Sequence, residues 1–162
     1  MYPPTYFAPT YFPPTYFPVG GGVAPTTYAT LLEAVVATLK ASLVPGTLSG
    51  VYDRIPPTLR PPYATCLEIG ISRDWSDTAG GYVDSGQVQV QVYAATKKSC
   101  RTLGDSVASL LNDAALTFDE GHLMVLRQSS RLAEIDPDRG PDGAPLHVET
   151  RTFDYKLSSG LY

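Results

Sequence analysis

The sequence predicts an α+β fold, in which an antiparallel β-sheet packs against two α-helices that both lie on one of its faces. Two segments have the hydrophobic period of amphipathic helices, and segments with strand-like alternation follow each of them. Strands that come in runs after each helix are typical of an antiparallel sheet. The 162 residues are 43% hydrophobic and 17% charged, which indicates one globular domain. An extended N-terminal arm rich in proline and aromatic residues precedes that domain.

The arm covers residues 1–18 and consists largely of a repeat. A pentamer that begins Pro-Thr-Tyr-Phe occurs three times, at residues 4–8, 9–13 and 14–18. Because proline fixes its own φ angle and disfavours helix in the residue before it, we predict an extended arm. A disordered tail is the alternative, although disordered segments are usually poor in Tyr and Phe. We expect the aromatic side chains to be buried against another chain, and they are Tyr6, Phe7, Tyr11, Phe12, Tyr16 and Phe17.

A glycine-rich segment separates the arm from the domain. Gly20, Gly21 and Gly22 impose no φ preference, so residues 19–25 are predicted to be a hinge. The α+β domain is predicted to cover residues 26–162.

Two helices are predicted from the spacing of apolar residues. The first covers about residues 26–43, and Thr30 and Glu33 have the spacing of a capping box, although the helix could start at Thr26 or Thr27. The second begins after Thr96 and extends to about Leu116. Its predicted buried stripe consists of Leu103, Val107, Leu110, Leu111 and Ala114.

The predicted strands alternate between apolar and polar residues. In the clearest of them, Val88, Val90 and Val92 face the core and the intervening glutamines face away from it. Residues 73–85 and 135–145 are predicted to be hairpin loops. The strands cover residues 50–55, 63–72, 87–93, 121–134 and 146–157.

The strand at residues 121–134 has no single apolar face. Either Leu123 and Val125 face the core, or Met124 and Leu126 do, because the two faces carry equal numbers of apolar residues. The pattern leaves this choice open.

A catalytic or metal-binding constellation is not found. Cys66 and Cys100 lie outside any CxxC pattern and are predicted to be free thiols. The acidic run from Asp136 to Asp142 resembles a calcium loop, but EF-hand spacing would require a glycine at Pro141 and a glutamate at His147. We therefore predict neither an enzyme nor a cofactor nor a metal site.

The bulk charge and the apolar runs exclude further classes. A net charge of −4 and a pI of about 5.0 disfavour a nucleic-acid-binding surface, which would show a basic stripe. No apolar run approaches the length of a membrane span, and the N-terminus lacks the pattern of a signal peptide. We expect a protein that is made in the cytoplasm, without a membrane partner.

Several segments occur in an order and at a spacing that are typical of one known family. They are the first helix, residues 50–56, residues 62–65, the loop of Trp75, the strand end at residues 90–94, the helix with Leu103, Val107, Leu110 and Leu111, and the closing residues 151–155. In this order they resemble the small tail-completion, or tail-terminator, proteins of tailed phages, over about residues 26–158. The proline and aromatic arm departs from that family.

The resemblance implies a homo-oligomeric ring, usually a hexamer, that caps the finished tail tube and docks to neck proteins of the head. DNA passes through the bore of such a ring without specific binding, and the virion is assembled in the host cytoplasm. Other neck, tail-tube or fibre proteins would be its partners, and the family has no catalytic residues. An alternative is a neck or adaptor protein whose arm recruits a fibre, collar or capsid component.

An acidic bore would repel phosphate and let DNA slide. Asp136, Asp138 and Asp142 are therefore candidates for lining the bore. Simple exposure of this loop to solvent is the alternative.

Overall fold

A computed structural model describes residues 28–44, 46–54, 60–75, 81–119, 121–137 and 143–159. The predicted arm and hinge lie outside these residues, so the boundaries of arm, hinge and domain stay predictions.

Two helices pack on one face of a six-stranded sheet. The order of strands across the sheet is β1-β2-β3-β6-β5-β4, and all pairs are antiparallel except β1 with β2. The predicted α+β class is confirmed, with the parallel pair as a correction. The elements are α1 (Leu31–Leu43), β1 (Val51–Tyr52), β2 (Tyr63–Trp75), β3 (Tyr82–Ala94), α2 (Lys97–Leu111), β4 (Thr117–Phe118), β5 (Gly121–Asp136) and β6 (Leu146–Ser159).

Helix α1 starts at the later of the predicted positions. The Thr30 hydroxyl accepts a hydrogen bond from the Glu33 N–H at 3.2 Å, and the Glu33 carboxylate accepts one from the Ala29 N–H at 3.0 Å. Tyr28 forms an isolated parallel bridge with Phe118. Because Tyr28 forms this bridge and Thr30 caps the helix, α1 begins at Leu31.

Helix α2 is shorter than predicted, because the chain turns at its end. Thr96 caps its start by accepting from the Ser99 N–H at 3.2 Å. The chain leaves the helix at Asn112, where ψ is 121°, and Asp113 has a φ of 55°. Asn and Asp tolerate such conformations because their short side chains bond to nearby backbone. The prediction that the helix extends to Leu116 is therefore wrong.

The hairpin between β2 and β3 is longer than predicted. Residues 73–75 pair with residues 82–84, so most of the segment predicted as a loop is strand. Arg73 crosses to Asp84 with Nε 2.8 Å from Oδ1, and its guanidinium lies 3.8 Å from the centre of the Tyr82 ring. The hydrogen bond to Asp84 raises the pKa of Arg73. Two charged residues of the predicted loop thus form a cross-strand pair.

Strand β5 combines the two predicted alternatives, because it contains a bulge. Its register with β6 shifts between Leu123 and Val125. The extra residue moves the inward face by one position. Leu126 is buried, and Leu123 is partly buried against the core.

The main core lies between the helices and one face of the sheet. Val88, Val90 and Val92 are fully buried there, as predicted. Cys66 and Cys100 are free and buried, also as predicted. Burial raises the pKa of the Cys66 thiol to about 12 and that of the Cys100 thiol to about 11, and the charges of nearby carboxylates add to the effect.

A smaller apolar cluster lies at one end of the opposite face of the sheet. Tyr63 and Tyr93 stack there with ring centres 4.6 Å apart, beside Leu146 and Val148. Tyr52 of β1 packs against this cluster.

Helix α2 approaches β6 closely at Gly104. A Cβ atom at this position would lie 2.6 Å from Oε1 of the buried Glu149 and 3.2 Å from Nε of Arg151. Glu149 cannot move aside easily, because Arg151 donates to it at 2.8 Å. Glycine is therefore required for this helix–sheet contact.

We expect Gly104→Ala to lower the free energy of unfolding, by up to about 2 kcal/mol. The helix gains about 1 kcal/mol from alanine, but overpacking against a fixed carboxylate costs about 1–3 kcal/mol. Urea unfolding followed by circular dichroism, at one protein concentration, measures the difference. Gly46→Ala is the control, since nothing lies within 4 Å of its Cβ position. A Gly104→Ala protein as stable as the original would show that the contact is not tight.

Candidate assembly interface

The outer strand β2 leaves most of one edge open. β1 pairs with it only at Ala64 and Thr65. Over the described part of the chain, no strand pairs with the outer side of residues 67–75. The free N–H and C=O groups of such an edge can pair with a strand of another molecule.

Strand β5 is covered over its first half only. β4 pairs with its first two residues. The segment after α2 covers the next part, where the Asp113 N–H donates to the Leu126 carbonyl and the Gln128 N–H donates to the Asn112 side chain, both at 2.8 Å. Past this point no described strand pairs with its outer side, so residues 129–136 form a second open edge.

The large hydrophobic side chains that are exposed among the described residues all lie on these two strands. Leu67 and Ile71 lie on the open edge of β2, and Leu132 and Ile135 lie on that of β5. Exposed apolar groups that cluster among polar ones are typical of protein–protein contacts. We identify the two edges as a candidate assembly interface. The covered half of β5 carries the two other exposed side chains, Met124 and Val125.

A groove of about 360 Å³ follows the open edge of β5 on the side of the helices. Its lining includes Ala133 and Ile135 of β5, Lys97 of α2 and the buried Glu149 of β6. Helix α2 has no acidic residue in its first turn. Lys97 therefore lies at the positive end of the helix dipole, and an acidic side chain from another molecule would complement it.

A cluster of charged side chains connects β5 to β6 and α2. Arg131 lies 3.1 Å from Glu149, and Arg151 donates to Asp105 at 2.5 Å and to Gln128 at 3.1 Å. The hydrogen bond from Arg151 lowers the pKa of Asp105. Because the cluster includes side chains from three elements, it fixes the position of β5 at the start of its open edge.

The sheet face opposite the helices is lined by amide and hydroxyl groups. The Gln87 side chain donates to Asp154 at 2.8 Å, and the Ser129 hydroxyl donates to the same carboxylate oxygen at 2.9 Å. Thr150 and Thr152 are buried next to them. This face is polar but carries few charges.

The predicted site residues are only partly described. Asp136 is partly buried at the end of β5, where it pairs with Leu146. Asp138 and Asp142 lie outside the described residues, as do the hinge glycines and the aromatic residues of the arm. The roles expected for these residues therefore stay predictions.

The sequence contains one indication of the open edge, which we did not use. From Arg131 to Ile135 the strand has apolar residues on both of its faces, and none of the residues 129–135 is buried. A strand paired on both sides with one face on the core would alternate instead. The lack of alternation in this half of β5 marks an edge strand.

Comparison with known families places the chain. The model of the family described as tail completion protein gp17 matches residues 31–152. The chain belongs to this family. The predicted resemblance to tail-completion proteins is thereby confirmed, and the protein is a structural protein of a phage tail.

A solved structure is similar to this tail completion protein in fold. A chain of the "Virion of native gene transfer agent (GTA) particle" has a TM-score of 0.60 at 22% identity, covering 80% of this chain and 95% of that chain. At this identity the match shows a shared fold. Comparison with the curated proteins gives no match.

Membrane-spanning helices and metal-binding clusters are both absent from the described residues. They contain no helix that is long and apolar enough to span a membrane. They also contain no group of three His, Cys, Asp or Glu side chains placed to hold a metal ion.

We expect Asp105→Asn to destabilise the protein at neutral pH and to have no effect at strongly acidic pH. Because Arg151 lowers the pKa of Asp105 in the folded state, the pair stabilises the fold above the usual carboxyl pKa of about 3.9. This contribution is lost as the pH falls through the lowered pKa. Thermal unfolding from strongly acidic pH to pH 7 measures it. The exposed Asp119→Asn is the control, and equal pH profiles for the two variants would contradict the prediction.

Proposed function

We propose that this tail completion protein is the subunit of a homo-oligomeric ring, a hexamer, at the head–tail junction or the end of the phage tail. Its family membership supports a role in completing the tail. In this proposal one face of the ring meets the tail tube and the other meets neck proteins of the head. The ring is part of the virion and is assembled in the host cytoplasm.

The observation that carries the ring is the pair of unlike open edges on opposite sides of one sheet. An interface between two different surfaces is heterologous, so each added copy presents a free surface for the next. Such growth stops only when the copies close into a ring, and otherwise gives a filament. Two exposed apolar side chains on each open edge supply contact area that an isolated subunit leaves in water.

The bore of the ring is proposed to let DNA pass without binding it. The net charge of −4 supports repulsion of phosphate rather than attraction. Asp136, Asp138 and Asp142 remain candidates for the lining, since Asp136 lies at one end of the sheet. No catalytic role is proposed for any residue.

The arm is proposed to bind neighbouring virion proteins. In a ring each arm is copied with the symmetry of the subunits, so that modest affinity per arm becomes strong attachment of the ring. Tyrosine and phenylalanine provide large contact areas and lose little side-chain entropy on burial. Residues 1–18 contain these residues in every repeat.

We expect the purified protein, or the protein within purified virions, to form a ring of six copies. Light scattering coupled to size-exclusion chromatography measures the mass in solution, and a density map of the particle shows the copy number in place. A protein that is strictly monomeric and also absent from purified virions would contradict the proposal.

We expect deletion of residues 1–18 to leave the mass of the ring unchanged and to reduce its attachment to neighbouring proteins. The deletion removes the aromatic repeats but neither open edge. Co-sedimentation of the ring with tails or heads, with and without the arm, measures attachment. If tails still join heads and only a fibre or collar component is lost, the alternative role as an adaptor is favoured instead.

A further inference from the structure

We propose that the open edge of β2 in one copy pairs with the open edge of β5 in the next, so that one β-sheet continues around the ring. Residues 67–75 would lie antiparallel to residues 129–136 of the neighbouring copy. This inference rests on the proposed ring, and it adds which surfaces meet and which way the side chains point.

Strand direction favours this pair of edges. The order β2-β3-β6-β5 consists of antiparallel neighbours, so β2 and β5 of one copy run in opposite directions. Rotation about a ring axis keeps strand directions, and β5 of one copy therefore meets β2 of the next as an antiparallel partner. The junction continues the alternation that the sheet already has.

The covered parts of the two edges determine how the copies must be staggered. β1 covers the start of β2, and β4 with the segment after α2 covers the start of β5. Within one copy Leu67 is level with Ser130, through Gln89 and Thr152. For the open stretches to pair, Leu67 of the next copy must instead lie near Glu134 or Asp136.

This stagger corresponds to the tilt of strands in a closed sheet. A shift of four to six residues is about 13–20 Å along the strands, and four strands are about 19 Å wide. The strands then tilt by about 35–45° from the ring axis, which is the range that closed β-barrels adopt. The positions of β1 and β4 thus allow the sheet to close into a ring. Without a shift the strands would not tilt as a closed sheet requires.

The groove beside β5 fits the helix-side residues of the incoming β2. Gly70 and Ile71 form the bulge opposite Gly86. The Cβ position of Gly86 faces the core residue Tyr155, so Ile71 points to the helix side. Ile71 is 62% exposed and Ile135, in the groove lining, is 63% exposed. Each isoleucine would bury its surface against the other copy.

The charges at the junction are complementary. Glu68 lies on the same face as Ile71, where it accepts a hydrogen bond from the Tyr155 hydroxyl at 2.5 Å. Lys97 lies in the groove at the first turn of α2. An incoming β2 brings the Glu68 carboxylate towards this lysine. The groove already contains Glu134 and Glu149, but Glu149 is paired with Arg131 and Arg151.

A cysteine scan tests the junction. Ile71→Cys is combined, one at a time, with cysteine at each position from 130 to 135, and the purified full chain is oxidised. Because side chains alternate between faces, we expect covalent ladders, that is, disulfide-linked oligomers of increasing size, for the helix-side positions. Their yield should be several-fold higher than for positions on the other face. The helix-side substitutions are Arg131→Cys, Ala133→Cys and Ile135→Cys, and those on the other face are Ser130→Cys, Leu132→Cys and Glu134→Cys.

The unsubstituted chain is the control for the ladder. Cys66 and Cys100 are buried, and their pKa values of about 12 and 11 leave about one thiolate in a thousand or fewer at pH 8. Dimers from Ile71→Cys alone would overturn the inference, because they would show β2 paired with itself. A ring of full mass with no ladder at any position would overturn this junction and leave the proposed ring standing.

Mixing two edge variants gives a second, independent test. Ile71→Lys blocks one edge and leaves β5 open, whereas Ile135→Lys does the reverse. Each alone should be a folded monomer, and together they should form dimers that cannot grow. Ala41→Lys, on the exposed side of α1, is the control and should keep the ring. If both edge variants form full rings by themselves, the junction lies elsewhere.

Discussion

The pairing of β3 with β6 determines which strands become the edges of the sheet. It is continuous from Tyr82 with Ser159 to Ala94 with His147, without a register shift. Because β6 lies between β3 and β5, the strands β2 and β5 lie on opposite sides of the central pair. A simple meander would instead leave β6 outside and bury β5. The open edges, the groove and the proposed ring all depend on this one insertion.

The central pair is regular, and the irregular positions lie at the outside. Bulges occur in β2 between Ile69 and Ser72, and in β5 at two places. Gly70 has a φ of 66°, a conformation that glycine adopts without strain. A bulge increases local twist and bends a strand. The edges therefore curve away from a flat sheet, whereas β3 and β6 keep the alternation that builds the core.

The buried charges beside the core orient the helix rather than simply adding stability. Glu149 and Arg151 are both buried, and removing such charges from water costs several kcal/mol for each ion. The cost is offset only because the pair is hydrogen-bonded on several sides, to Asp105, Gln128 and Arg131. An apolar pair would fill the same space but would not fix the orientation of α2 over the sheet. With the charges in place, α2 has one position over the sheet, and the groove beside β5 has one shape.

Local patterns predict the parts of this fold that local physics determines. The valines of β3 and the cap at Thr96 are examples, because alternation and side-chain capping act over a few residues. The ends of elements depend on distant partners. Tyr28 is extended because it meets Phe118, and Arg73 is in a strand because Asp84 lies opposite.

The interface was harder to predict than the core, because the edge status of a strand is a property of the whole sheet. No residue near Leu132 indicates that β5 pairs with β6 on one side and, at this position, with no described strand on the other. The sequence does show that residues 129–135 fail to alternate, and this was the available sign. The repeat in the arm, in contrast, is visible in the sequence without any knowledge of topology.

The distribution of prolines argues that the open edges are meant to be paired. Soluble proteins protect exposed edges with proline, inward charges, bulges or short strands, since a long apolar edge promotes aggregation. Of these, β2 and β5 have bulges but are long. This chain contains 15 prolines, yet none lies in β2 or β5. Proline at an edge removes an N–H donor and would block pairing. Both long edges are free of proline in a chain that is otherwise rich in it, and each edge has an exposed isoleucine. This combination fits a protein whose edges are covered by further copies of itself.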